Sequence, residues 1–208
     1  MNKTDKQEFI KKKIVDALFA CLENKQIEEM TTDEIAQRAD VSKRTLYKYY
    51  SSKKEMYLAV VKESFKELSS IIQSNIDIVE DDDPWVFIAC IGREYMKYFF
   101  NNTIKGQLIL NFNEMAYIDK YEKWVTEIQE YSNKFELTPY VKNYYEYHNV
   151  RPHTNIKTIS LYIWAEAQGI IQLIMSKGDW LKEFYEIEVD ELIEEHLVLS
   201  KKILGEVK

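Results

Sequence analysis

Residues Thr31–Leu58 read TTDEIAQRADVSKRTLYKYYSSKKEMYL, and this stretch predicts two short helices joined by a tight turn. Thr31 and Glu34 have the spacing of a capping box, in which each residue satisfies an amide of the other at a helix start. Ser42 is a second N-cap, and residues 43–49 form the body of the helix that follows it. The pattern therefore predicts two helix starts eleven residues apart.

A small apolar core is expected between these two helices. Ala36 and Ala39 are small, so they allow the helices to cross closely. This is helix-turn-helix geometry, in which the second helix can enter the major groove of DNA. The side chains expected to meet in the core are Ile35, Ala36, Val41, Leu46 and Tyr50.

The second helix and its flanks are basic. Residues 41–54 contain five Lys or Arg and no acid. A solvated basic helix beside a core tyrosine is the alternative, because basic runs are common. The capping box, the small residues and the acid-free helix together favour DNA binding. The side chains concerned are Ser42, Lys43, Arg44, Thr45, Tyr47, Lys48, Tyr49, Lys53 and Lys54.

Together with the helix before it, this stretch resembles the N-terminal domain of the TetR family of bacterial repressors (TetR/AcrR-like). The remainder is similar to the family only in length and helicity. The matching positions are Thr31, Ile35, Ala36, Ala39, Val41, Ser42, Thr45, Leu46, Tyr47, Tyr49, Tyr50, Lys53 and Met56.

The resemblance implies specific roles at the DNA. Lys53 would hold a phosphate, and Tyr47 and Tyr49 would position the helix through their hydroxyls. The bases would be read by candidates Lys43, Arg44 and Lys48. The full set implied to face DNA is Ser42, Lys43, Thr45, Tyr47, Lys48 and Tyr49, with Arg44 as an added contact.

Three positions depart from the family pattern. Asp40 stands where most members have Gly, and Asp tolerates a left-handed backbone better than most residues do. Arg44 replaces a small residue, so it is expected to alter the preferred DNA sequence. Tyr50 replaces the usual Phe in the core, which places a hydroxyl near the surface.

Helical periodicity predicts an all-α fold throughout the chain. A first helix precedes the helix-turn-helix, and a long fourth helix over 53–78 links a DNA-binding domain (1–52) to a larger effector-binding and dimerisation domain (53–208). The acidic run 80–83 and Pro84 mark the main break, with the run capping the next helix. Further helices are expected at 84–101, 104–117, 119–148 with a break near Pro139, 154–177 ending at a left-handed Gly178, and 188–205.

Composition excludes several classes of protein. The chain has 208 residues, is 46% hydrophobic and 30% charged, and has only five Gly and three Pro, which argues against disorder, sheet-rich folds and Gly-rich phosphate loops. Residues 1–62 carry 13 Lys/Arg and 10 Asp/Glu (+3), whereas residues 63–208 carry 15 and 25 (−10). We therefore expect only the first part to meet a polyanion.

Two cysteines and the lack of a long apolar segment predict a cytoplasmic protein without a membrane partner. Neither the acids at 80–83 nor the pair His148 and His153 completes a metal site, and no nucleophile constellation is evident. We expect no metal, no cofactor and no enzymatic activity.

Aromatic residues and a few acids in the apolar helices after Pro84 indicate an effector pocket for a lipophilic or cationic molecule, of a kind that the family resemblance also implies. Plain core packing is the alternative for each aromatic residue. The candidate effector residues are Trp85, Glu94, Tyr95, Tyr98, Phe99, Phe112, Glu114, Trp124, Trp164 and Gln168.

A run of small residues near Ala165 and Gly169 permits close helix approach, at the place where the family has its dimer bundle. An internal core helix is the alternative. The candidate dimer residues are Ala165, Gly169, Gln172, Leu192, His196, Leu199 and Ile203.

These features predict a homodimeric repressor on a palindromic operator, released when a small effector changes the separation of its two DNA-binding heads. The long fourth helix is the expected lever. The alternative is a DNA-binding regulator without a small-molecule ligand, either an activator or one controlled by a partner.

Overall fold

The structure is a computed structural model that describes residues 3–205, and this part is built from helices with no β-strand. The all-α expectation is confirmed. The helices are α1 (Lys3–Leu22), α2 (Thr32–Arg38), α3 (Lys43–Tyr49), α4 (Lys53–Ile76), α5 (Pro84–Asn101), α6 (Thr103–Leu110), α7 (Ile118–Ser132), α8 (Thr138–Tyr147), α9 (Ile156–Tyr185) and α10 (Val189–Leu204).

The chain divides into two compact units. The first unit contains Met1–Lys66 and Ile104–Gln129, and the second contains Glu67–Thr103 and Glu130–Lys208. Helix α4 passes from the first unit into the second. The predicted functional division after residue 52 stays a prediction.

The first unit has its core where the helix-turn-helix pattern placed it. Ile35 and Leu46 are completely buried, and Ala36 and Tyr50 are nearly so, whereas Val41 is half-buried. Side chains of α1 complete this core. Those with no exposed surface are Ile14 and Leu18, and Cys21 lies beside them as a buried, free thiol.

Within the first unit, aromatic pairs join the C-cap residue of α3 to α7, and join α4 to the segment that follows α6. The ring centroids of Tyr50 and Trp124 lie 6.3 Å apart, and those of Phe65 and Phe112 lie 6.1 Å apart. Burial of such rings supplies much of the packing energy of a small core. Phe112 and Trp124 therefore belong to the packing of the first unit.

The second unit is a bundle of α5, α8, α9 and α10. Its apolar centre includes Ile88 on α5, Tyr144 on α8 and Ile163 on α9. The entry to α5 follows the sequence prediction, because Asp83 accepts a hydrogen bond from the amide of Trp85 at 2.9 Å and Pro84 occupies the first turn.

One predicted helix boundary in this region is wrong, and one predicted break is confirmed. The helix expected over 104–117 ends at Leu110, because Asn113 caps a separate 3-10 turn at Glu114–Ala116. The helix expected over 119–148 ends at Ser132 and restarts at Thr138, with Pro139 in the first turn of α8. Proline removes an amide and suits a helix start, so the expected break near Pro139 is confirmed.

The predicted stop at Gly178 is also wrong. Helix α9 continues through Gly178 to Tyr185, and the left-handed residue is Glu186, with φ 56°. A single internal glycine costs a helix only about 1 kcal/mol, which the flanking helix-forming residues offset. Within residues 3–205, no helix has both the length and the apolarity needed to cross a bilayer.

Candidate nucleic-acid interface

The first helix of the helix-turn-helix begins at the predicted capping box. The amide of Glu34 donates to Thr31 Oγ1 at 3.2 Å, and the amide of Thr31 donates to Glu34 Oε2 at 2.8 Å. Lys25 Nζ also donates to Glu34 Oε1 at 2.6 Å. The hydrogen bonds from Lys25 and then from Thr31 lower the pKa of Glu34 to about 2. The start of α2 is thus tied both to its own cap and to the turn that follows α1.

The turn between α2 and α3 depends on Asp40. This residue has φ 51°, in the left-handed region where most family members have Gly. The amide of Val41 donates to Ala36 O at 3.0 Å, and Lys13 Nζ donates to Asp40 Oδ2 at 3.0 Å. The expected tolerance of aspartate at this position is therefore confirmed.

Helix α3 presents one buried side and one exposed side. Ser42 accepts a hydrogen bond from the amide of Thr45 at 3.1 Å, as predicted for the N-cap, and Leu46 is fully buried. The opposite side is exposed, and Tyr47 keeps 47% of its surface free. The exposed side chains of this side are Lys43, Arg44, Tyr47 and Lys48, whereas Thr45 and Tyr49 are half-buried at its edge.

Two of the basic side chains near α3 are held by partners. Lys43 Nζ donates to Asp33 Oδ2 at 2.8 Å, and Lys53 Nζ donates to the carbonyl of Glu28 at 3.0 Å. Lys48 Nζ lies 5.7 Å from the centroid of the Tyr49 ring, and no carboxylate described in the structure pairs with Lys48 or Arg44. The Asp33 partner was missed in the sequence, because nothing in the local pattern indicates which face of α2 meets α3.

The sequence profile of the bacterial regulatory proteins of the tetR family matches residues 14–60. Over these residues the chain is similar to the tetR family. The matched residues are the ones that build the buried core and the exposed α3 side just described. The family and the curated relative it resembles are regulatory proteins, not enzymes.

The curated relative is an uncharacterized HTH-type transcriptional regulator, YvaF, of Bacillus subtilis (strain 168). The two proteins are 30% identical over 117 residues, which cover 55% of this chain and 56% of the relative. The likeness thus extends over little more than half the length of that relative.

Solved structures share the TetR-like fold over nearly the whole chain. The regulator FadR from Bacillus subtilis, in complex with stearoyl-CoA, has a TM-score of 0.69 at 12% identity and covers 92% of this chain and 97% of its own. The TetR-family regulator PfmR from Thermus thermophilus has a TM-score of 0.64 at 15% identity, with 93% and 99% covered. At these identities the likeness concerns the fold alone.

Part of the predicted effector set meets at an enclosed cavity of about 40 Å³ in the second unit. Trp85, Tyr95 and Trp164 line it. Gln168 donates through Nε2 to Tyr95 Oη, and burial raises the pKa of Tyr95 to about 12. Tyr98 and Phe99 are buried in the packing around Tyr95, and Glu94 is half-buried on α5.

Seven of the ten predicted effector residues do not line this cavity, and three of those seven lie in the first unit. Phe112 and Trp124 pack against α4 or its N-terminal flank in the first unit, and half-buried Glu114 begins the 3-10 turn there. The structure thus does not bring all ten residues into one cavity. Cavity residues that the sequence analysis missed include Phe135, Ala167 and Leu197, which carry an ordinary apolar pattern with no signal of their own.

Most of the predicted dimer residues lie at or near the surface of the second unit. Ala165, Gly169 and Gln172 are exposed on α9, and Leu199 is exposed on α10, with Leu192 and Ile203 half-buried. His196 is an exception, because it is 3% exposed and its Nε2 lies 3.4 Å from Ser200 Oγ. The α10 turn directs His196 into the core of its own unit, so its assignment to a dimer surface is corrected.

The histidine and acid candidates for metal binding take structural positions. His148 Nε2 lies 3.1 Å from Asp83 Oδ1, and the same carboxylate group caps α5. Among the described residues, no three His, Cys, Asp or Glu side chains form a cluster that could hold a metal ion.

Proposed function

We propose that the chain is a TetR-like transcriptional regulator that places α3 in the major groove of double-stranded DNA. The observation that carries this proposal is that α3 has one buried side and one exposed side. Leu46 is fixed in the core, while Lys43, Arg44, Tyr47 and Lys48 project from the exposed side. A cationic, polar helix surface without acids is suited to phosphate and base contacts.

We further propose that the regulator binds a palindromic operator as a homodimer. One module contacts too little DNA for strong specificity, and a two-fold dimer pairs two half-sites. Along the exposed side of α9, the small residues Ala165, Gly169 and Ser176 follow one another at intervals of four and seven residues, with Leu161 and Leu173 exposed beside them. A strip of small residues with bulky neighbours lets two copies of one helix approach closely.

The proposed action is repression in the cytoplasm, released when a small lipophilic or cationic effector binds the second unit. The FadR structure in complex with stearoyl-CoA supports ligand control on this fold. The Tyr95 hydroxyl, which accepts a hydrogen bond from Gln168, places a polar group at the cavity, and the mostly apolar lining also includes His196 and Ser200. Glu166 on α9 has a carboxylate oxygen that is buried without a partner among the described residues, and a cationic effector that reached it would supply the missing partner.

One observation favours a second candidate, a regulator without a small-molecule ligand. The enclosed cavity of about 40 Å³ is far smaller than the roughly 300–1,000 Å³ of typical ligand sites. An effector would have to open it. Thermal shift across lipophilic and cationic compounds separates the two, because ligand that binds the folded state raises the melting temperature. A complete lack of stabilisation would favour the partner-controlled alternative.

Operator binding is tested by fluorescence anisotropy with a duplex selected from a random library by the wild-type protein. Lys48→Ala is expected to weaken binding by about 1–3 kcal/mol, and Tyr47→Phe by less, because each removes one contact of the α3 side. Lys157→Ala is the control, since it removes a cation from the first turn of α9. Unchanged affinity in both α3 variants would contradict the assigned DNA-binding side.

A further inference from the structure

The second unit carries an open groove that the proposed function does not use. It has a volume of about 550 Å³ and lies between the first half of α5, the end of α8 and the last turns of α10. Its lining combines apolar and aromatic surface with cationic groups. The apolar part comes from Trp85, Ala89, Tyr144, Leu197 and Val198.

The charges of this groove are unbalanced towards the positive. Arg93 forms a two-pronged ion pair with Glu194, at 2.6 Å from Nε to Oε1 and 2.8 Å from Nη2 to Oε2. Glu194 is the one carboxylate among the described lining residues, so this pair neutralises it. Lys201 and Lys202 also line the groove, and no ion pair to a described carboxylate offsets either charge.

This positive site stands out against its surroundings. Residues 63–208 carry a net charge of −10, from 15 basic and 25 acidic residues. Lys201 Nζ lies 5.4 Å from the centroid of the Trp85 ring, which holds an ammonium group at the aromatic wall. The lysine charges would attract an anionic group. An apolar body attached to that group would pack against the surface of Trp85 and Leu197.

The groove lies on a different flank of α10 from the residues that we propose for the dimer interface, which is called the dimer seam below. Glu194, Val198, Lys201 and Gly205 recur every three or four residues and all line the groove. Leu192, Leu199 and Ile203 share another flank of the helix. At 100° per residue the mean directions of the two sets are separated by roughly 150° around the axis, so a dimer formed through α9 and the second set leaves the groove accessible.

We propose that this groove binds a small amphiphilic carboxylate. Its acid group would pair with Lys201 and Lys202, and its apolar body would lie against Trp85 and Leu197. Trp85 and Leu197 also form part of the wall of the enclosed cavity. A bound molecule would therefore press on the packing around Tyr95 without entering the cavity.

The test is isothermal titration calorimetry of the full chain with 2-naphthoate, with its neutral analogue 2-naphthalenemethanol, and with acetate. We expect saturable binding of 2-naphthoate and at least about tenfold weaker binding of the alcohol and of acetate, which each lack one half of the recognised chemistry. The double variant Lys201→Gln/Lys202→Gln is expected to weaken 2-naphthoate binding about tenfold or more. Lys157→Gln, which makes one such charge change at the start of α9, is expected to bind as the wild type does.

Three results would overturn the proposal. They are an absence of saturable 2-naphthoate binding, equally tight binding of the alcohol, and equally tight 2-naphthoate binding by the double variant. The first two use the wild-type chain, so they decide the matter even if the double variant is unstable. No DNA is present, so the outcome is independent of whether α3 binds an operator.

Discussion

Lys43 Nζ donates a hydrogen bond to Asp33 Oδ2 at 2.8 Å, which ties the first residue of the proposed recognition helix to the helix before it. The hydrogen bond to Asp33 raises the pKa of Lys43. Both side chains are exposed, so the pair contributes little to stability. Its consequence concerns DNA, because an acid stands beside a cation that the proposed interface needs.

Asp33→Asn is expected to tighten operator binding. The change removes a negative charge near the phosphates and frees Lys43, so we expect affinity to rise about twofold to tenfold at low salt and the gain to shrink as salt increases. Anisotropy titrations at two salt concentrations measure this. Glu130→Gln, an equal charge change near the end of α7, is the control. Weaker binding by Asp33→Asn would show instead that the acid positions Lys43 productively.

Asp40 substitutions test the turn that links α2 and α3. Because its φ is 51°, Asp40→Val is expected to lower the free energy of unfolding by about 1–2 kcal/mol, since β-branched residues are strained in the left-handed region. Asp40→Gly relieves backbone strain and loses the exposed contact with Lys13, so we expect a change within about 1 kcal/mol. Urea unfolding of both variants makes the comparison. A valine variant as stable as the wild type would rule out this role of the turn.

Gly169→Glu tests the proposed dimer seam on α9. Apart from Gly169, its two neighbours and the nearby backbone of α9, no described heavy atom lies within 4 Å of a Cβ placed on Gly169, so the variant is expected to fold. A carboxylate in a self-associating helix seam would meet its own copy, and we expect monomers at micromolar concentration. Sedimentation velocity measures the mass. Lys157→Glu, in the first turn of the same helix, is expected to stay dimeric. If the Gly169→Glu variant remained dimeric, the dimer interface would have to lie elsewhere.

His196 is expected to make the protein less stable in mild acid. Burial lowers the pKa of His196 below its usual 6.5, so the unfolded chain takes up this proton more readily than the folded chain does. The contribution to stability is fully present above about pH 6.5 and is lost as the pH falls towards the lowered folded value. Melting temperatures at pH 7.5 and 5.5 should differ less in His196→Gln than in the wild type. His153→Gln, at an exposed loop position, should show the wild-type difference, and equal behaviour of the two variants would exclude His196 as the cause.

The local part of the fold could be predicted from sequence because its causes are local. The capping box at Thr31, the N-cap at Ser42 and the left-handed Asp40 each act over three or four residues. Pro84 and Pro139 likewise act on their own backbone. Gly178 shows the limit of this reasoning, since a glycine stops a helix only when the surrounding chain also turns there.

Three properties could be deduced from the amino-acid sequence: the chain is helical, residues 31–58 form a helix-turn-helix, and one side of α3 is cationic. These properties follow from backbone capping and from the helical repeat. Tertiary structure alone decided that Phe112 and Trp124 pack in the first unit, that Asp33 reaches Lys43, that His196 turns inward, and that Arg93 neutralises Glu194 beside the two lysines of the groove. Each of these depends on which helix faces meet, and residues far apart in the chain carry no periodic signal of their future contact.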